Sequence, residues 1–211
     1  MMKKLILIDD HKMLRNGIKA YIKDNSDWQI IGEAESLNEL SALLQNITVN
    51  KDDIVIAVVD IQLKGEEDNA FVSNGFEAVR QLSKKGIASV IFSSHDTGSC
   101  IERAISPEVG AKGFVSKCSD EKLLLEAINT VAQGRTFIQP DLITGFLETR
   151  SLLDILTKRE HQVVNLIESG LTNEEIAEQM GIKNTTLENY ISIIYDKLGC
   201  QNRKALIEKL R

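Results

Sequence analysis

The sequence predicts an α/β chain: a five-stranded doubly wound parallel sheet followed by a small all-α domain. Three observations carry this. Residues 54–60 read IVIAVVD, six apolar residues closed by one carboxylate. A run that short, β-branched and apolar on both faces is a strand covered on both sides, as in parallel sheets. Four more strand-like runs alternate with segments of helical period through residue 134, the order that builds βα units. Beyond residue 155 only helical patterns remain.

Residues 3–9, KLILIDD, make the first strand and end in two acids. Residues 11–25 place Leu14, Ile18, Tyr21 and Ile22 at helical spacing. A strand over 28–33 and a helix over 37–47 lead to the strand at 54–60. Residues 64–74 are polar and acidic and read as a long loop. Residues 75–84 form a helix, 88–93 a strand, and 97–105 a helix that Pro107 limits. The fifth strand is 111–116. Ser119 starts the next helix, with Asp120 and Glu121 in its first turn, where the helix dipole favours anions. Gly134 is its C-cap candidate. Residues 135–155, with Pro140, have mixed character and read as a linker. Thr157 with Glu160, and Thr172 with Glu175, make two capping boxes. Their helices end near Gly170 and Gly181. The longest helix of this half spans 184–198 and is closed by Gly199; a short one follows over 202–210. The expected domains are therefore 1–134, a linker at 135–155, and 156–211.

The chain has 211 residues and a formal net charge of -6, an ordinary globular composition. Residues 151–211 hold 8 Lys+Arg against 9 Asp+Glu, which leaves 17 against 22 for residues 1–150. Neither part is basic, which argues against nonspecific polyanion binding. Cys100, Cys118 and Cys200 are odd in number and lack metal-ligand spacing. They read as reduced thiols, so a cytoplasmic location is expected. The opening MMKKLILIDD has too short an apolar run for a signal-peptide core or a membrane span.

In open parallel sheets, ligands sit past the carboxyl ends of the strands. Asp9, Asp10, Asp60, Ser93, Ser94 and Lys117 stand at those ends. Clustered carboxylates repel one another unless a cation lies among them, and a hard ion with oxygen ligands, Mg²⁺ above all, meets that need. A carboxylate beside it can attack phosphorus and become an aspartyl phosphate. Lys117 and a serine hydroxyl then answer the charge on the phosphoryl oxygens.

Over about residues 1–134 the chain resembles the receiver domain of two-component response regulators, a flavodoxin-like fold. The matching residues are Leu7-Ile8-Asp9-Asp10-His11, Asp60, Gly75-Phe76-Glu77, Ser93, and Gly110 through Lys117. The resemblance implies that Asp60 is the phosphoacceptor, served by Ser93 and Lys117. It implies that Asp9, Asp10, Asp60 and the Gln62 backbone carbonyl hold Mg²⁺, and that Ser93 and Phe114 form the activation switch. By the same resemblance, Gln62 and His95 take positions that in the family tune the lifetime of the phosphate, and a sensor histidine kinase is expected to supply it. Lys64 stands where the family usually has a proline, and the 64–74 loop is longer than usual. Ser106-Pro107-Glu108 looks like an insertion in or after the fourth helix, on a face that often carries the activated-state interface.

Residues 156–203 resemble the LuxR-type helix-turn-helix of NarL/FixJ response regulators. The match runs through Leu156-Thr157, Arg159-Glu160, Gly170 to Asn173, Glu175-Ile176-Ala177, Thr186, Lys197-Leu198-Gly199 and Asn202-Arg203. Gly181 and Ile182 make the turn, and the helix from Asn184 is the one expected in the major groove. The DNA-facing set is Lys183, Thr185, Thr186, Glu188, Asn189, Ser192 and Lys197, with Leu187, Ile191, Ile194 and Leu198 as core. Glu188 stands where a lysine usually meets DNA. A carboxylate repels phosphates but accepts from cytosine N4; alternatively it makes a salt bridge within the helix. Ala205, Leu206 and Leu210 either pair two copies or complete the domain's core.

The expected function is a phosphorylation-dependent transcription regulator that binds double-stranded DNA, pairs as a homodimer when activated, and does not enter membranes. The alternative is a response regulator whose last domain acts on a partner regulator rather than on DNA. A stand-alone enzyme is not expected, because phosphatases with a strand-end aspartate want a second Asp two residues on, where Gln62 stands.

Overall fold

The structure is a computed structural model, and it describes residues 2–47, 52–63 and 74–210. The long acidic loop expected at 64–74 lies outside the described residues but for Asn74. Two compact units are formed, 1–96 with 103–143, and 97–102 with 144–211.

The first unit is built on strands β1 (Lys3–Ile8), β2 (Gln29–Ala34), β3 (Ile54–Val59), β4 (Ala88–Ser93), β5 (Gly113–Ser116) and β6 (Phe137–Ile138). The order is β2-β1-β3-β4-β5-β6, every pair parallel. Helices α1 (Lys12–Asn25), α2 (Leu37–Asn46), α3 (Asn74–Lys84), α4 (Gly98–Ile105) and α5 (Glu121–Ala132) follow β1 to β5 in turn. Because side chains alternate along a strand, Leu5, Leu7, Ile56, Val58, Val90, Phe92 and Val115 meet Ile18 and Ile22 of α1 and Leu124, Ala127, Ile128 and Val131 of α5. The strand order reverses between β1 and β3, and the crevice of such a sheet opens at that switch point.

The expected five strands are six. The sixth, β6, lies in the stretch read as linker. It is two residues long, too short for periodicity to reveal, and pairs Gly113 with Phe137 and Phe114 with Ile138. The rest of that stretch is also regular: a 3-10 turn at Pro140–Leu142 and helix α6 (Ile143–Leu153). The start of α5 is corrected too. Asp120, not Ser119, is its N-cap and accepts from the Leu123 N–H; the Ser119 hydroxyl is engaged elsewhere.

The second unit carries α7 (Lys158–Glu168), α8 (Asn173–Met180), α9 (Asn184–Leu198) and α10 (Arg203–Leu210). Both capping boxes form as the sequence indicates. Gly181 ends α8 in the left-handed region, φ 64°, where a side chain is disfavoured. Leu187, Ile194, Leu198, Leu206 and Leu210 are buried in one cluster with Leu153, Val163, Val164 and Ile176. Leu206 and Leu210 therefore complete this unit's own core.

Candidate functional site

Asp9 follows β1 and Asp60 follows β3, the two strands that flank the switch point. The register fixes their depth: the Asp60 N–H donates to the Ile8 carbonyl at 2.8 Å. The sheet thus brings together acids that are 51 positions apart in the chain, 60 - 9. Ligand atoms of Asp9, Asp10, His11 and Asp60 all lie within 4.8 Å of one another. Asp60 is 3% exposed and Asp9 5%, so water screens this charge poorly.

Lys117, just past β5, enters the same space. Its Nζ lies 2.6 Å from Asp60 Oδ2 and 2.7 Å from Asp9 Oδ2. The other Asp60 oxygen accepts from the Gln62 N–H at 3.2 Å. Burial pushes the Asp60 carboxyl above the ordinary carboxylate range; Lys117 pulls it down, and Asp9 adds to the upward push. Burial works against the Lys117 charge, but Asp60 and Asp9 outweigh it and hold the ammonium above its ordinary range.

Three carboxylates against one ammonium leave two negative charges together. His11 offers a ring nitrogen, 2.8 Å from Asp10, but the three carboxylates are hard oxygen donors and together fit a divalent ion such as Mg²⁺. The Ser93 hydroxyl is fully buried at the end of β4 and accepts from the His95 N–H at 3.1 Å. Phe114 is also fully buried. Gln62 Nε2 and the His95 ring stand 3.5 Å apart, and both residues are exposed.

Three features of the site were not singled out from the sequence. Gly75, the second residue of α3, lies so close to the loop after β3 that a Cβ would fall on the Asp60 carbonyl; its N–H donates to the Ile61 carbonyl at 3.0 Å. The Gly75-Phe76-Glu77 match was visible, but not this close approach. Arg15, 4% exposed, donates to the Asp9 carbonyl, to Glu33 at 3.1 Å and to Glu35. It sits on the apolar face of α1 in step with Ile18 and Ile22, so counting charged residues on that face would have found it. Gln139, from the supposed linker, reaches the loop that carries Lys117, and no pattern in the sequence marks it.

In the second unit, Lys183, Thr185, Thr186, Glu188, Asn189 and Ser192 are exposed on or just before α9. Leu187, Ile194 and Leu198 are buried, and Ile191 is half-buried. The expected DNA-facing residues thus lie at the solvent-exposed surface of α9 and its N-terminus.

The model for the response regulator receiver domain matches residues 5–129, and that for bacterial regulatory proteins of the luxR family matches residues 154–210. This chain is a response regulator of the NarL/FixJ family. The regulator is 32% identical to the transcriptional regulatory protein UhpA of Salmonella typhimurium over 205 residues, 97% of this chain and 95% of the relative. A solved LuxR-family two-component response regulator from Aurantimonas sp. shares 27% identity, with a TM-score of 0.60 over 72% of this chain and 99% of the other. RcsB from Salmonella enterica serovar Typhimurium, solved on promoter DNA with a beryllofluoride phosphomimetic, has a TM-score of 0.65 over 99% of this chain and 98% of its own. At 19% identity, RcsB shows a shared fold alone. Receiver and LuxR-type output together make the regulator a phosphorylation-dependent, DNA-binding transcriptional regulator. Among the described residues, no helix is long and apolar enough to cross a membrane.

Two charged residues of the regulator's output domain behave differently from one another. Lys197 places its ammonium 2.7 Å from Glu160, the same carboxylate that closes the capping box of α7, so its charge is already matched within the domain. Glu188 makes no ion pair among the described residues, and the helix salt bridge offered for it is not formed.

Proposed function

We propose that Asp60 accepts the phosphoryl group from the phosphohistidine of a sensor kinase. The observation that carries this is the buried Asp60 carboxylate held between Lys117 and the Asp9-Asp10 pair. One Asp60 oxygen attacks phosphorus as the phosphorus–nitrogen bond to the donor breaks, and the imidazole leaves with the electron pair. Lys117 turns from Asp60 to the new phosphoryl oxygens, still close to Asp9. The Ser93 hydroxyl exchanges its bond with the His95 N–H for one donated to the phosphoryl group, and the space it vacates admits Phe114. Asp9, Asp10, Asp60 and the Gln62 carbonyl would hold Mg²⁺, which would supply positive charge against the phosphoryl oxygens. Gln62 and His95 control the approach of water to the acyl phosphate.

The output domain reads double-stranded DNA with Thr185, Thr186, Glu188, Asn189 and Ser192, and Lys183 meets a phosphate. Lys197 serves structurally through Glu160. Two phosphorylated copies pair on two half-sites, which raises the effective concentration of each output domain. The domain limits we assign are 1–134 for the receiver and 156–211 for the output domain, with an ordered connection between them. The protein acts in the cytoplasm.

The test is labelling with acetyl phosphate and Mg²⁺, read by intact mass. Native protein gains one phosphoryl group and Asp60→Asn gains none; equal labelling of both overturns the assignment. For the output domain, DNA is selected from a random pool with and without beryllofluoride. A second reading, action through a partner regulator, is favoured by Glu188, which has no ion pair among the described residues, and by the occupied Lys197. Enrichment only in a mixed complex with such a partner would establish it.

A further inference from the structure

The loop that carries Lys117 is fastened from outside the five βα units. The Gln139 amide oxygen accepts from the Ser116 N–H at 2.9 Å and from the Ser119 hydroxyl at 2.7 Å. Those two donors lie on either side of Lys117 and Cys118. One oxygen therefore holds both ends of the loop. Its orientation is determined: Gln139 Nε2 faces Asp141 Oδ2 at 3.1 Å, and a carboxylate there only accepts, so the NH₂ must point to Asp141 and the oxygen to the loop. The Gln139 backbone N–H donates to the Phe114 carbonyl at 3.0 Å, extending the β5–β6 pairing by a residue. Gln139 is 6% exposed, so its bonds are made away from solvent competition.

We propose that Gln139 is a positioning residue for Lys117: its side-chain oxygen fixes the 116–119 loop so that the ammonium meets Asp60 and Asp9. The inference rests on Asp60 being the phosphoacceptor. A lysine side chain has four flexible torsions, and its aim depends on the backbone that launches it. Ser116 adds a second anchor by donating to Asp96 at 2.7 Å. That bond holds the start of the loop. The Lys117 N–H donates to the Ser93 carbonyl at 2.9 Å and the Ser119 N–H to the Ser116 carbonyl at 3.1 Å, and Gln139 is the side chain that ties both ends to the segment after α5.

The test compares rates of acetyl phosphate labelling at saturating Mg²⁺. Gln139→Met keeps the volume and loses the acceptor; its rate falls about tenfold, the effect of misplacing one charge contact in the transition state. Ile128→Val, a core change in α5 far from the loop, lowers the melting temperature but leaves the rate within about twofold. The double variant Gln139→Glu with Asp141→Asn keeps both acceptor bonds and reverses the third, and it recovers the native rate to within about threefold. A folded Gln139→Met protein that labels as fast as Ile128→Val overturns the proposal, as does a folded double variant that shows no recovery. Should Gln139→Met not fold, Ser119→Ala removes one arm at a half-buried position, and an unchanged rate there overturns it as well. Failure of the native protein to label defeats the Asp60 assignment and this inference with it; native labelling with no loss in the variants defeats this inference alone.

Discussion

At Asp60 the fold works against its own stability. Burial and Asp9 raise the carboxyl's pKa, and Lys117 only partly offsets them. A carboxyl whose folded pKa exceeds its unfolded value, about 4, favours folding below that value, and the advantage is lost as pH rises through the folded pKa. Asp60→Asn is therefore expected to melt higher than native protein at pH 7.5 in chelator, with the gap closing as pH falls to about 4. Calorimetry across that range checks it. On the proposed ligand set, added Mg²⁺ should raise the native melting temperature more than that of Asp60→Asn, which removes one carboxylate from that set. At Glu160 the sign is opposite: the Lys197 hydrogen bond holds this carboxyl below its ordinary range. Glu160→Gln should cost stability at neutral pH, and the cost should disappear in acid as native Glu160 protonates.

Elements aim these residues, and one missing side chain decides how closely they approach. The start of α3 rests on the loop after β3 because Gly75 has no Cβ to strike the Asp60 carbonyl. Gly75→Ala forces either α3 or the Asp60 loop to shift. We expect a loss of about 1–3 kcal/mol in unfolding free energy, measured by urea titration, together with slower labelling at Asp60. In the output domain the capping boxes set where α7 and α8 begin. Thr172→Ala exposes N-terminal N–H groups of α8 and is expected to cost about 1 kcal/mol, seen by the same titration. Helix α5 shows how one residue's place changes its task. Asp120 caps the helix, which leaves the Ser119 hydroxyl for Gln139.

For the whole molecule the distribution of charge decides how it meets DNA. The chain carries a net -6 and its last 61 residues, 151–211, are near neutral at 8 Lys+Arg against 9 Asp+Glu. With Lys197 held by Glu160 and Glu188 on the exposed face, few cations remain to displace counterions. Affinity should fall gently with salt. Glu188→Lys should tighten binding to nonspecific DNA and steepen the slope of log K against log salt by about one, read by fluorescence anisotropy at several salt concentrations.

Much of this protein was written in local pattern. Apolar runs of β-branched residues located five strands, and acids at the ends of two of them marked the chemistry, because a strand buried on both faces leaves a readable trace and places its last residue at the edge of the sheet. The caps of α7 and α8 were equally plain, since a capping box needs only residues three apart. Tertiary structure decided the rest. β6 is two residues of backbone pairing with no periodicity to betray it. Arg15 and Gln139 are polar residues whose partners come from distant segments, and their burial follows from the packing of those segments rather than from their neighbours in sequence. Gly75 is needed because two backbones pass within a side chain's width, a distance that exists only once β3 and α3 are in place.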